Sequence, residues 1–456
     1  MTLAQNRLPL LNGNKIVVFL LILIGMTSCA AAAKKISSSP PAKAEVVSIK
    51  TTIIEKNKKN EDSILRKPEI FDLINNVNNS NTIIYENIQP IENSSKKIIN
   101  IAVILPFLLD QIPLGQYADD TTKQLNPISK FAMDFYLGCQ MAKEKYTNPN
   151  LTANVYFLDD MNDNTTTTNI LQQKPFPNVD YIIGPLNEQN LTIVSDYART
   201  AQIPMIFPLA NTSNISNNPN YFNSVPSVTS QYNFITEQIK NNFLQQKIEI
   251  LYDDKDSTEE SIETLKPIID KYFNINSIKY YPLQSWSDAA KNLYTADTIS
   301  NRTILIYSSK GSYIKSIIAK LKPIKNHLNI FTSMAAKGVN ALSDNKNPHT
   351  IYVANYFDTN NPNYTIFAQK FEEKYRKETT ETVNQAYDLM MYLFNTIENK
   401  QPLQSNTYNF SNNLDNTHTK FLYKPVFDKH GSIDYFDNAY LKMYKYTNGK
   451  FVAIAP

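Results

Sequence analysis

The chain has 456 residues, 42% of them hydrophobic, enough apolar material for a large core. Its formal net charge of +3 is near neutral for that length, and dispersed lysines without a basic cluster argue against nucleic acid as a main partner. The only cysteines are Cys29 and Cys139; if Cys29 is modified, no intramolecular disulfide can form, and the exported domain must hold itself by burial.

Arg7 and Lys15 flank the amino terminus, Ile16 to Ile24 is apolar, and Met26-Thr27-Ser28-Cys29 follows. The run falls short of the roughly 20 residues that a membrane-spanning helix needs, and it fits a cleaved secretory signal. With its cysteine at the cleavage point, the segment resembles a bacterial lipoprotein signal. That resemblance implies a signal over residues 1–29 and a lipid on Cys29; Met26 departs from the usual aliphatic residue. The alternatives are an ordinary signal with an incidental cysteine and an uncleaved anchor. Ala30 and Ala31 after the cysteine favour a periplasm-facing protein anchored to the outer or inner membrane. Residues 30–95 read as a disordered tether: Ser37 to Pro41 is turn-rich, Lys56 to Asp62 is charged, and Asn75 to Asn81 is nearly all Asn and Ser. Such a spacer has a typical end-to-end distance of ~45 Å, enough to hold a domain away from its membrane.

The globular part opens at Lys97 to Phe107, a near-continuous apolar run ending in a proline turn, as a buried parallel strand does. A helix over Lys130 to Lys145 follows and contains Cys139, read as a buried, inert thiol. A strand over Val155 to Asp160, a helix near Thr168 to Gln173 and a strand opening at Tyr181 come next. The alternation then repeats: a helix over Tyr232 to Phe243, a strand at Ile248 to Asp253, a helix over Thr258 to Tyr272, and a strand at Ile278 to Tyr281. A short helix at Trp286 to Tyr294, strands at Thr303 to Ser308 and Asn329 to Ser333, and a helix between them at Tyr313 to Leu321 complete the second run. Strands alternating with helices over short connections mean parallel, doubly wound sheets.

One segment carries most of the family information. It reads Val179-Asp180-Tyr181-Ile182-Ile183-Gly184-Pro185, a helix with Leu191, Val194, Tyr197 and Ala198 on one face, Ile203-Pro204-Met205-Ile206-Phe207-Pro208, and then Asn218 to Ser227. In that register it resembles the type I periplasmic-binding-protein family, which includes leucine/isoleucine/valine-binding proteins and ligand domains of some receptors. Thr350 to Tyr356, Phe367 to Lys377 and Thr382 to Met391, with its Ala386-Tyr387-Asp388, resemble the family's returning helix pair; Val426 to Gly431 and Tyr440 to Tyr446 resemble its last β-ribbon. The resemblance covers residue 97 to the end. It implies an α/β fold of two doubly wound Rossmann-like lobes: residues 97–227 plus 354–422, and residues 228–353 plus 423–456. Three crossovers are expected near Val225 to Val228, Val353 to Phe357 and Leu422 to Phe427.

Catalytic constellations are weak. His327, His349, His418 and His430 show no metal-ligand spacing and read as surface residues in polar loops. Ser308-Ser309-Lys310-Gly311 follows a strand and reads as a helix cap, and Asp159-Asp160 as a loop and cap pair. No cofactor, metal or enzymatic activity is expected. The resemblance places ligand at Asn187 and Glu188, at Ala210, Asn211 and Thr212, and across the cleft at Asp256 and Ser257. Amino-acid binders of the family carry Ser or Thr soon after the Gly-Pro turn; here Leu186 to Asn190 stands there, and Glu188 would repel a ligand carboxylate. Either the ligand differs, with Glu188 meeting a cation or sugar hydroxyls, or no small ligand binds. The resemblance therefore implies a solute-binding lipoprotein for ABC-type import of a small polar ligand, partnered by a permease. The alternative is an envelope regulator of the same fold, such as an activator of a peptidoglycan synthase.

Overall fold

The computed structural model describes residues 97–111, 126–149, 151–173, 176–209, 215–243, 247–253, 262–273, 278–282, 302–338, 348–358, 361–400, 402–403, 417–447 and 450–454. The signal segment with Cys29, the tether and the short helix expected after Trp286 lie outside them.

β1 (Lys97–Leu105) is an unbroken apolar run because both its faces are covered: Ile101 to Leu105 are fully buried. It pairs in parallel with β2 (Leu151–Asp159) on one side and β3 (Tyr181–Ile183) on the other. β4 (Met205–Phe207) and β5 (Tyr221–Asn223) extend the sheet beyond β3. The connecting helices are α1 (Pro127–Lys145), α2 (Asn164–Gln172) and α3 (Glu188–Ala201). Each starts where a short polar side chain takes an otherwise orphaned amide: Asn126 from Ile128, Asp163 from Thr166, Asn187 from Asn190.

The second sheet repeats this plan. β6 (Lys247–Tyr252) lies between β7 (Ile278–Pro282) and β8 (Arg302–Tyr307), followed by β9 (Leu328–Thr332) and β10 (Thr350–Asn355). Its helices are α4 (Val228–Phe243), α5 (Ile262–Asp270) and α6 (Gly311–Leu321). The chain then returns to the first lobe through α7 (Pro362–Tyr375) and α8 (Glu381–Glu398). α8 lies against α1 so closely that a Cβ on Gly138 would stand 2.3 Å from the Val383 carbonyl oxygen and 2.8 Å from Ala386 Cβ. One face of the first sheet is filled by Val103, Leu105, Phe135, Phe371, Met390 and Phe394, the other by Ala102, Ile104, Leu191, Val194 and Phe207.

The tail is two hairpins, not one ribbon. β11 (Tyr423–Phe427) and β12 (Ile433–Asn438) complete the first sheet, with β12 parallel to β5. β13 (Lys442–Thr447) and β14 (Lys450–Ala453) complete the second, with β13 antiparallel to β10. The described residues thus form two seven-stranded sheets, ordered β11-β12-β5-β4-β3-β1-β2 and β14-β13-β10-β9-β8-β6-β7. The expected assignment of everything after residue 422 to the second lobe is corrected: the third crossing runs from Asn438 to Lys442. Alternation alone does not say which sheet edge accepts a hairpin; here Phe436 stacks on Phe222, centroids 4.8 Å apart, and fixes β12 on the first sheet. The other crossings lie between Asn223 and Val228 and between Asn355 and Pro362. No described helix is long and apolar enough to cross a membrane.

Candidate functional site

In each sheet the first strand has its second on one side and its third on the other, so the connections reverse there. The carboxyl ends of those strands are where open α/β sheets take ligands. In the first lobe the wall at that end is built around Gly184. The residue has φ +98°, and a Cβ on it would lie 2.3 Å from the Ile104 carbonyl oxygen. The turn brings Leu186 inside and sets Asn187 as the N-cap of α3.

The polar side chains on this wall are bonded to the protein itself. Asn187 Oδ1 accepts from the Asn190 amide at 2.7 Å, and its Nδ2 donates to Asn162 Oδ1. Asp159 accepts from the Leu108, Leu109 and Met161 amides and so shapes the loop after β1. Asp160 is fully buried; it accepts from Asn190 Nδ2 at 2.8 Å and the Asn162 amide at 3.1 Å. Burial raises its pKa, with those bonds pulling the other way. Gln385, reaching in from α8, donates to the Pro208 carbonyl at 2.5 Å. The aspartate pair therefore holds loops.

On the second lobe Ser308 is buried; its Oγ accepts from the Lys310 amide, and its own amide donates to Tyr232 Oη at 2.9 Å. The helix cap expected of this serine is not what forms: α6 starts at Lys310 without a side-chain cap. Lys310 Nζ stands 3.8 Å from Asp253. The histidines divide. His327 and His430 are exposed, but His349 and His418 are buried, correcting their reading as surface residues. His349 Nε2 bonds the Leu321 carbonyl and its pKa is lowered by desolvation; His418 stacks on Phe357 with centroids 4.6 Å apart.

Of the residues expected to meet ligand, Asn187 and the exposed Glu188 sit together at the start of α3. Ala210, Asn211, Thr212, Asp256 and Ser257 lie outside the described residues. Sequence reasoning missed the joint between the lobes. Buried Asp437, at the end of β12, accepts from Asn223 Nδ2 (3.0 Å), the Ser227 amide (3.1 Å), Ser227 Oγ (2.6 Å) and Ser230 Oγ; Ser230 belongs to α4 of the other lobe. Asn438 Nδ2 donates to the Ser224 and Lys420 carbonyls. At the second crossing Lys442 pairs with Asp358, and Tyr444 Oη donates to the Phe357 carbonyl. Phe357 and Asp358 are tied in turn to the strand-like stretch at His418 and Thr419. That stretch hangs from buried Asp388 on α8, which accepts from the Thr417, His418 and Thr419 amides at 2.7, 2.9 and 2.6 Å. The adjacent Asp437-Asn438 before the last hairpin was the available signal.

A family model described as "Receptor family ligand binding region" matches residues 140–426, more than half of the chain. The chain belongs to that family. Its two sheets with flanking helices make the two-lobed type I periplasmic-binding-protein fold. Solved structures with this fold include an ABC transporter substrate-binding protein from Desulfitobacterium hafniense, at TM-score 0.50 and 14% identity over 78% of this chain and 100% of that one. A putative branched-chain amino acid ABC transporter protein from Rhodospirillum rubrum gives 0.56 and 12% over the same shares. The LpoA C-domain from Haemophilus influenzae, described as a regulator of PBP1A, gives 0.52 and 16%, again over 78% and 100%. A search of curated proteins found no match. At these identities the likeness establishes the fold of this family member, and its function rests on the site.

Proposed function

We propose that this chain is a non-enzymatic, lipid-anchored envelope protein that regulates a partner protein, with a peptidoglycan synthase as the partner class, instead of ferrying a solute. One observation carries this reading: the carboxylate of Asp437 joins β12 of the first lobe to Ser230 on α4 of the second. Rotation of one lobe against the other would strip donors from a buried carboxylate. Leaving a buried charged group unsatisfied costs on the order of 1–3 kcal/mol or more. A solute can drive closure only by its differential affinity for the closed state, so it would first have to overcome that cost. The self-bonded polar wall around Asn187 and Asp160 supports the same reading.

The solute-binding reading is favoured by one feature, Glu188 exposed beside the Asn187–Asn162 pair. A thermal-shift screen of amino acids, sugars, polyamines and muropeptides at millimolar concentration separates the two. The expected result is no stabilisation that Asn187→Ala abolishes, together with retention of a peptidoglycan synthase by the immobilised full chain. A solute that raises the melting temperature of the wild type in a saturable way, by mass action on the folded state, and fails to do so in Asn187→Ala would establish the transport reading instead.

A further inference from the structure

A concavity lies among α1, α7 and α8 of the first lobe, with Thr417 also in its lining. α1 and α8 are drawn together at Gly138, where no side chain fits between them. α7 joins the same face, tied to α1 at its carboxyl end by Lys374–Glu144, and the Lys377–Asp134 pair lies just beyond. Between the three helices remains a wedge of about 450 Å³ whose lining includes Met141, Phe367, Tyr387, Ile366, Lys145 and Lys370.

The chemistry of this wedge is mixed in a specific way. Phe367 and Tyr387 form an aromatic floor, centroids 4.5 Å apart, and both are almost fully buried. Ile366 is 55% exposed at the rim. The charge at the rim is positive: Lys370 is exposed, Lys145 Nζ stands 5.9 Å from the centre of the Tyr387 ring, and the one carboxylate, Glu144, is already neutralised by Lys374. The volume falls in the range of small-molecule sites, roughly 300–1,000 Å³ with apolar walls and a few polar groups.

We propose that this wedge is a ligand site, independent of the wall at Asn187, for a small amphipathic carboxylate: an aromatic or branched aliphatic group lies on Met141, Phe367 and Tyr387, and the carboxylate meets Lys370 and Lys145. The test is titration calorimetry of the full chain with 4-phenylbutyrate, and with 4-phenylbutyramide as the uncharged twin. Lys370→Glu and Ile366→Glu are the variants, since both side chains are exposed and neither supports the fold. The acid is expected to bind more tightly than the amide. Lys370→Glu should weaken the acid about tenfold, the loss of one charge-assisted contact, and leave the amide unchanged. Ile366→Glu should weaken both. The proposal is overturned if the acid fails to bind at millimolar concentration, if Lys370→Glu weakens acid and amide alike, or if binding responds to Asn187→Ala and not to Lys370→Glu.

Discussion

Gly184 leaves no room for a side chain and sits at a φ that L-residues avoid, so Gly184→Ala must move either the turn or β1. A destabilisation of roughly 2–4 kcal/mol is expected, read as a lowered urea midpoint. Asp388 makes a different kind of statement. Desolvation pushes its carboxyl up to about 7, against the pull of three backbone amides and the Thr417 hydroxyl. Its unfolded value is about 3.9, so the folded state holds the extra proton; its stabilising contribution is present at low pH and is lost as pH rises through 7. Between pH ~6.5 and ~8 the loss amounts to about 1 kcal/mol or a little less. His349, with its pKa lowered by burial, acts with the opposite sign, and an unfolded imidazole is still half protonated at pH ~6.5, so it offsets part of that loss. Between the two pH values the unfolding free energy should therefore fall in the wild type relative to Asp388→Asn. The variant should be less stable throughout, because an amide nitrogen replaces an acceptor of the His418 and Thr419 amides. Cys139 is buried and its thiol is pushed well above its ordinary value, so it should resist alkylation in the native state and react on unfolding.

Elements are where the sequence was most and least informative. β1 and β8 announce themselves, because buried parallel strands need apolar residues on both faces and few other segments do. α2 starts at Asn164, behind the Asp163 cap and four residues ahead of the expected Thr168, because a run of threonines hides the apolar periodicity there. The last two hairpins did not reveal their sheets, since pairing partners such as Phe436 and Phe222 are far apart in the chain. The site was half legible for the same reason. Asn187 and Glu188 stand at the head of α3, but nothing local shows that Asn187 is bonded inward or that Asp437 meets Ser227, 210 positions away. The joint has its own test. Asp437→Ala should leave both sheets folded while hydrogen exchange accelerates around residues 224–230 and 439–441. Faster exchange spread evenly over β1 to β5 would mean instead that Asp437 serves the first lobe as a whole.

For the whole molecule, polar groups span all three crossings: Asp437 and Asn438 at the first and third, Lys442 and Tyr444 against Asp358 and Phe357 at the second. The family plan permits two lobes to close on a ligand; the proposed regulatory reading requires these bonds to hold them at one angle instead. The direct measurement is the interlobe distance. Spin labels on Lys130→Cys and Lys325→Cys, exposed positions in the first and second lobes, would be read by pulsed electron spin resonance in a Cys29→Ala background. A single narrow distribution is expected, unchanged by millimolar amino acids, sugars, polyamines or muropeptides and broadened by Asp437→Ala. A wild-type distribution that shortens when one of those solutes is added would contradict the account.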